Sequence, residues 1–256
     1  MDWCCIVLPC VDRLHRFDYR KISFHWKQLE NIMSSIKFSG TGKMPCFSWS
    51  LEAFTTCAGA VDIVTGKVVD ACEICYARGG FYAMKAAKAL REHNKKDWKR
   101  PEFVPEFIVK LDNSRYFRWF DSGDCYTVKL AWKMYAIMKD TPWCKHWFPT
   151  RNHKFDKYKE VHDAMALLPN VVVRFSSDSI TGGLVDGATT STIVPYVETP
   201  VDFTGKSEIC FAYERDGKCG ECRACWDKDV ELIIYPAHGR KAKKVYKDRI
   251  QLMEVA

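Results

Sequence analysis

Between Tyr116 and Asp178 the chain alternates strand and helix patterns, and this alternation constrains the fold more than any other feature. RYFRWFDSGD reads as a strand over Tyr116 to Phe120, Thr127 to Met138 as a helix, and HWFPTR as a strand ending at Thr150 and Arg151. A helix over Phe155 to Leu168 and a strand over Val171 to Phe175 follow. Strands separated by helices pair in parallel through right-handed crossovers, so the expected class is α/β. Each strand closes on polar residues: Asp121, Ser122, Gly123 and Asp124, then Thr150 and Arg151, then Ser176, Ser177 and Asp178. Ligands of such sheets and barrels bind at the carboxyl edge, so these residues are expected to share one mouth. The plainer alternative makes Asp121 and Asp124 caps of the next helix and Arg151 a partner in an ordinary ion pair.

Around this block, Ala83, Ala86, Ala87 and Leu90 fall at helical spacing with Lys85, Lys88, Glu92 and Lys95 on another face, predicting an amphipathic helix over Tyr76 to Trp98. A shorter helix is expected over Pro101 to Leu111, strands over Ile193 to Val197 and Val230 to Tyr235, and a basic helix from Arg240. A chain of 256 residues buries one sizeable core. The expected division is an N-terminal extension (1–42), a β/α unit (43–200) and a C-terminal Cys-rich segment with the basic helix (201–256).

Thirteen cysteines are the second constraint. The opening MDWCCIVLPCV lacks a basic n-region and is too short in apolar residues to span a membrane, so a cytoplasmic location without membrane association is expected. Thiols stay reduced there, and clustered cysteines read as metal ligands rather than bridges. Cys57 is followed after fourteen residues by Cys72 and, two residues on, by Cys75; Cys210 is followed by Cys219, Cys222 and Cys225 at intervals of three. Both sets suit a soft iron–sulfide core, and the run of three in the second matches the ferredoxin habit of wrapping a 4Fe-4S cluster. Zinc and redox thiols are the alternatives for the second set. Cys46 is a weaker candidate ligand, while Cys4, Cys5 and Cys10 read as buried or incidental thiols, Cys125 and Cys144 as core or surface thiols, and His146, His153 and His162 lack a second ligand at metal spacing.

The net charge of +7 is uneven: Arg78 to Arg100 holds eight basic residues against two acidic ones, and Arg240 to Arg249 six against one. These helices would meet nucleic acid or another polyanion, or else simply present solvated faces. The aromatic residues around Trp119, Phe120, Trp132, Tyr135, Trp143, Trp147 and Phe148 read as core packing rather than as a base-stacking platform.

The order SWSLEAFTTC, CEICYARGGFY, FRWFDSGD, a strand ending in Thr-Arg, Leu-Pro-Asn before a strand ending in Ser-Ser-Asp, and a final Cys with CGECRACW resembles the bacteriophage gene product 88 family over about Lys43 to Trp226. No reaction carries over from that family. At a greater distance, Cys-Tyr-Ala, Gly-Asp after a strand and the Ser-rich strand end resemble radical S-adenosylmethionine (SAM) enzymes, whose partial (β/α) barrel holds a three-Cys cluster at its mouth. That resemblance implies a cluster on Cys57, Cys72 and Cys75 with one iron open to SAM, which reduction cleaves to a deoxyadenosyl radical. It implies Tyr76 near the adenine, Ser122, Gly123 and Asp124 at the SAM amino group, and Thr150, Arg151, Ser176 and Ser177 at ribose or carboxylate. Cys210, Cys219, Cys222 and Cys225 would hold an auxiliary cluster, and a reductant protein would be a partner. Two departures stand out: the first gap is fourteen residues instead of three, and the usual Gly-Gly-Glu element is Ser-Gly-Asp. Three further readings follow: one cluster shared by early and late cysteines, a non-catalytic iron–sulfur protein, or a zinc-stabilised nucleic-acid-binding protein.

Overall fold

The computed structural model describes residues 35–255, with side chains through Asp248, so the readings for Cys4, Cys5 and Cys10 lie outside the described residues. Eight strands form one sheet: β1 (Ser39–Gly40), β2 (Phe47–Trp49), β3 (Tyr116–Trp119), β4 (Lys145–Thr150), β5 (Val171–Ser176), β6 (Thr190–Val194), β7 (Ser207–Ile209) and β8 (Leu232–Pro236). Their spatial order is β1-β2-β3-β4-β5-β6-β8-β7. Only the β1–β2 pair is antiparallel. The expected α/β class with a parallel sheet is therefore present. From β2 to β6 spatial order follows chain order, so the sheet is wound in one direction.

The longer helices are α1 (Lys85–Asp97), α2 (Phe103–Lys110), α3 (Val128–Asp140), α4 (Lys159–Leu167) and α5 (Arg240–Val255). Phe103, Phe107 and Leu111, Leu130, Met134 and Ile137, and Val161 and Met165 pack against Trp49, Phe117, Trp119, Phe148, Val171 and Val173 in one core. Side chains alternate across a strand, so this core consumes one face of β3 and leaves Tyr116 and Arg118 on the other. The Val-Val-Val run of β5 is buried on both faces, as a central parallel strand requires. Thr127 caps α3 by accepting a hydrogen bond from the Leu130 N–H (3.1 Å), a role the sequence suggests for Asp121 or Asp124.

Several boundaries shift. The helix expected from Tyr76 begins only at Lys85, because Gly80 takes a φ of 57° and only short turns fit on either side of it. The buried face of α1 is polar: Arg91, Asn94 and Asp97 face inward, whereas Ala83 and Ala86 are exposed. Arg91 Nε donates to Glu52 Oε2 (2.7 Å) and Asn94 Nδ2 to the Ser50 carbonyl (3.0 Å), docking the helix on the loop after β2. β6 starts at Thr190, three residues before the expected strand, and its Thr190, Ser191 and Thr192 are all buried. Among the described residues no helix is long and apolar enough to cross a membrane.

Candidate metal centres

The fourteen residues between Cys57 and Cys72 fold into a hairpin. Val61 pairs with Val68, the Val69 N–H donates to the Ala60 carbonyl (3.0 Å), and the Asp62 N–H donates to the Lys67 carbonyl (2.8 Å). Asp62 closes the tip by accepting from Val64 N (3.1 Å) and Thr65 N (2.7 Å), and Gly66 supplies a φ of 67°. Tight turns complete the approach at either end: the Ala60 N–H donates to the Cys57 carbonyl (2.9 Å) and the Cys72 N–H to the Val69 carbonyl (2.8 Å). Cys57 and Cys72 therefore pack together with Ala60, Val68 and Val69, and Cys75 follows one turn on.

Burial pushes the Cys57 thiol well up, and charge on Asp124, Cys72 or Cys75 would raise it further. Cys72 is likewise raised by burial, opposed by the cations Arg151 and Lys154. Burial of this kind opposes bare thiolates unless a positive charge lies beside them.

The ends of β3, β4 and β5 contact one another here. Phe120 leaves β3 with a φ of 54°, left-handed for a bulky residue, and turns the chain into Asp121 to Asp124. Asp124 is buried and accepts from Thr150 Oγ1 (3.1 Å), Arg151 N (3.0 Å) and Cys125 N (2.7 Å), while desolvation raises its carboxyl to about 6 against those donors. Ser122 Oγ donates to the Leu51 carbonyl (2.9 Å), and a β-carbon on Gly123, at a φ of 77°, would meet that same carbonyl oxygen at 2.7 Å. Ser122, Gly123, Asp124 and Thr150 thus knit the loops to one another. Arg151 Nη2 donates to the Ser177 carbonyl (2.9 Å), its Nε lies 3.4 Å from Asp178 Oδ1, and Lys154 pairs with the other Asp178 oxygen. The Asp178 carbonyl accepts from Ala71 N (2.9 Å), tying the end of β5 to the helical turn that carries Cys72. Tyr76, 56% exposed, donates to the Asp121 carbonyl (2.9 Å), and Ser176 is half-buried at the end of β5.

The second cysteine set lies on the sheet face opposite the helical core. Trp226 packs edge-on against Tyr116 (5.5 Å) and Trp147 (5.3 Å), and its Nε1 donates to the Phe117 carbonyl (2.9 Å). Cys219 and Cys225 belong to the same cluster, with Met44, Cys46 and Tyr235. Cys225 Sγ lies 3.5 Å from the Tyr235 hydroxyl, and Cys210, beginning the loop after β7, is within electrostatic reach of Cys219 and Cys225. Cys222 is exposed.

Among the described residues, no three His, Cys, Asp or Glu side chains gather closely enough to hold a single ion. A tetrahedral zinc needs four donors within about 2.3 Å of one point, whereas a 4Fe-4S core takes its thiolates at separate irons. Thiol donors alone suit either group. His146, His153 and His162 do not join either set: His146 is buried between Trp119 and Thr141, and His153 and His162 stack on Phe175 and Tyr158.

Two residues escape sequence reasoning. Arg118 points from β3 into the space between the two cysteine sets, with Nη2 3.3 Å from the Tyr76 hydroxyl and its guanidinium 4.4 Å above the Trp147 ring. Its signal is a charge in the middle of an aromatic strand. Lys154 donates to the Gly59 carbonyl (3.1 Å) as well as pairing with Asp178, but nothing in its local sequence marks it.

No curated protein and no solved structure matches the chain. A family model described as gene product 88 matches residues 25–228, a span that contains both cysteine sets and every strand but β8, and the chain belongs to that phage family.

Proposed function

We propose that the chain is an iron–sulfur protein on a partial (β/α) barrel of radical SAM type, with Cys57, Cys72 and Cys75 holding a 4Fe-4S cluster that leaves one iron open to SAM. The observation that supports this best is the hairpin, which cancels the fourteen-residue gap and delivers Cys57 beside Cys72 at the carboxyl edge of a sheet wound in one direction. When bound and reduced, such a cluster supplies the electron for reductive cleavage of SAM. Arg151 and Lys154, held by Asp178, offset the negative charge of the thiolates. Tyr76, Arg151 and Ser176 keep surface at the mouth for a ligand, while Ser122, Gly123, Asp124, Thr150 and Ser177 hold the loops that shape it. The C-terminal cysteines form a second cluster site. A reductant protein would serve as electron donor, and a reducing cytoplasm would keep these cysteines as thiols.

A second reading, a non-catalytic iron–sulfur protein without SAM, is favoured by the inward turn of Ser122, Asp124 and Thr150, whose polar atoms are engaged by the protein itself. Anaerobic reconstitution with iron and sulfide, metal counting and EPR of the reduced protein with and without SAM separate the two. About eight irons per chain and a signal altered by SAM support the enzyme. The same iron with a signal indifferent to SAM supports the second reading, and a colourless zinc protein overturns both.

A further inference from the structure

The sheet face opposite the helical core carries two guanidinium groups, on Arg118 of β3 and Arg174 of β5, that have no carboxylate partner among the described ion pairs. Arg174 is fully buried and donates only to backbone carbonyls, of Thr190 (3.0 Å), Glu231 (3.3 Å), Asp227 (3.4 Å) and Val230 (3.0 Å). Arg118 reaches only the Tyr76 hydroxyl and the Met44 sulfur (3.5 Å), and the Nε atoms of both arginines are buried without a partner. A buried cation calls for an anion close by. The groups that face Arg118 are Cys46, Cys219 and Cys225 together with Tyr76, Tyr235 and Asp121, and those that face Arg174 are Cys225, Tyr235 and Asp227.

Cys46 stands in this group by position as well as by charge. It lies two residues before Ser48, whose register partner is Arg118, and so falls on the same face of the sheet. It packs in one cluster with Met44, Trp147, Trp226, Cys219 and Cys225. The Cys219 N–H donates to the Lys43 carbonyl (2.8 Å), pinning the C-terminal loop to the segment that leads into Cys46. Cys222 is turned away, lining a surface cleft with Tyr116, Lys206 and Arg223.

Resting on the iron–sulfur reading above, we infer that the C-terminal cluster is held by Cys46, Cys210, Cys219 and Cys225, and that Cys222 is not a ligand. Each of the four thiols gives its proton to water as it binds iron, and Arg118 and Arg174 gain anionic sulfur beside them in addition to the nearby carboxylates of Asp121 and Asp227. The ligand set then joins the opening of the sheet to its end.

The test uses the full chain with Cys57, Cys72 and Cys75 changed to Ser, so that only the C-terminal site remains. Cys46→Ala or Cys222→Ala is added, and iron, sulfide and visible absorbance are measured after anaerobic reconstitution. Cys222→Ala should keep its iron and Cys46→Ala should lose most of it, with far-UV circular dichroism showing both folded. Iron retained by Cys46→Ala, or lost by Cys222→Ala, overturns the inference. Should Cys46→Ala fail to fold, iodoacetamide labelling of the unmodified chain decides. Cys222 should label in the iron-loaded protein and Cys46 only after chelation, and a Cys46 that labels equally before and after chelation overturns it. A chain with no iron before any cysteine is changed defeats the iron–sulfur reading itself.

Discussion

Gly59 and Arg151 press together so closely that a β-carbon on Gly59 would lie 2.5 Å from Arg151 Cβ and 2.6 Å from the Arg151 carbonyl oxygen. This contact joins the loop after β2 to the loop after β4, two residues beyond Cys57 in the chain.

Gly59→Ala should therefore force the two loops apart, since backbone atoms cannot swing aside as a flexible side chain would. Overpacking of this kind costs about 1–3 kcal/mol, to be read from urea unfolding. Iron bound at Cys57, Cys72 and Cys75 should fall in the same variant; undiminished iron would show that the contact does not set the site.

The hairpin between Ala60 and Val69 should act only as a spacer. Replacing residues 62–67 by Asn-Gly, a pair suited to a two-residue turn between Val61 and Val68, should keep the iron content of the N-terminal site. Loss of iron in a folded protein would mean that the tip residues Ile63 and Val64, 67% and 88% exposed, do more than close the loop.

Trp226 anchors the C-terminal loop with two aromatic contacts and one hydrogen bond to β3. Trp226→Ala should lower stability by about 3–5 kcal/mol, as large-to-small core substitutions do. It should also release iron from the C-terminal site while the N-terminal site stays loaded, a split that EPR of the two clusters can follow.

His146 sets a pH dependence whose sign is fixed by burial. Desolvation lowers its folded pKa from 6.5 to about 3. Trp119 Nε1 donates to Nδ1 (3.2 Å), so Nε2 carries the proton and donates to Thr141 Oγ1 (2.8 Å). The neutral ring favours the folded state fully above pH 6.5, and that contribution is lost as the pH falls toward about 3. Chemical denaturation between these limits should show stability dropping with acid, and His146→Gln should flatten the slope. Part of the slope should persist, because burial also lowers His162, to about 4.

The strand–helix alternation from Tyr116 onward is legible because its periodicities switch cleanly and β5 is a β-branched run. Polar strand ends are legible for the same reason: an edge of parallel strands collects whatever follows them. What escapes is chemistry that contradicts local hydropathy. The α1 helix buries Arg91 and Asn94 because their partners, Glu52 and the Ser50 carbonyl, are some forty residues away in the chain. The early start of β6 hides behind Thr and Ser, and β7 is a three-residue strand whose only neighbour is β8. The hairpin could have been found, since Val61 and Val68 flank a stretch that begins with Asp62 and turns at Thr65-Gly66. Cys46 is legible only as a weak candidate, because its neighbours Cys219 and Cys225 lie at the other end of the chain.

The placement of β8 between β6 and β7 has a consequence for biogenesis. β7 leaves the ribosome before β8 yet has no neighbour in the sheet until β8 arrives, and the Trp226 side chain bridges to a strand made 109 residues earlier. The segment from Cys57 to Cys75 can thus reach its place during translation, whereas Cys46 meets Cys219 and Cys225 only when nearly the whole chain exists. The face of the sheet that Tyr116 and Trp147 present therefore stays uncovered by Trp226 until the last part of the chain is made.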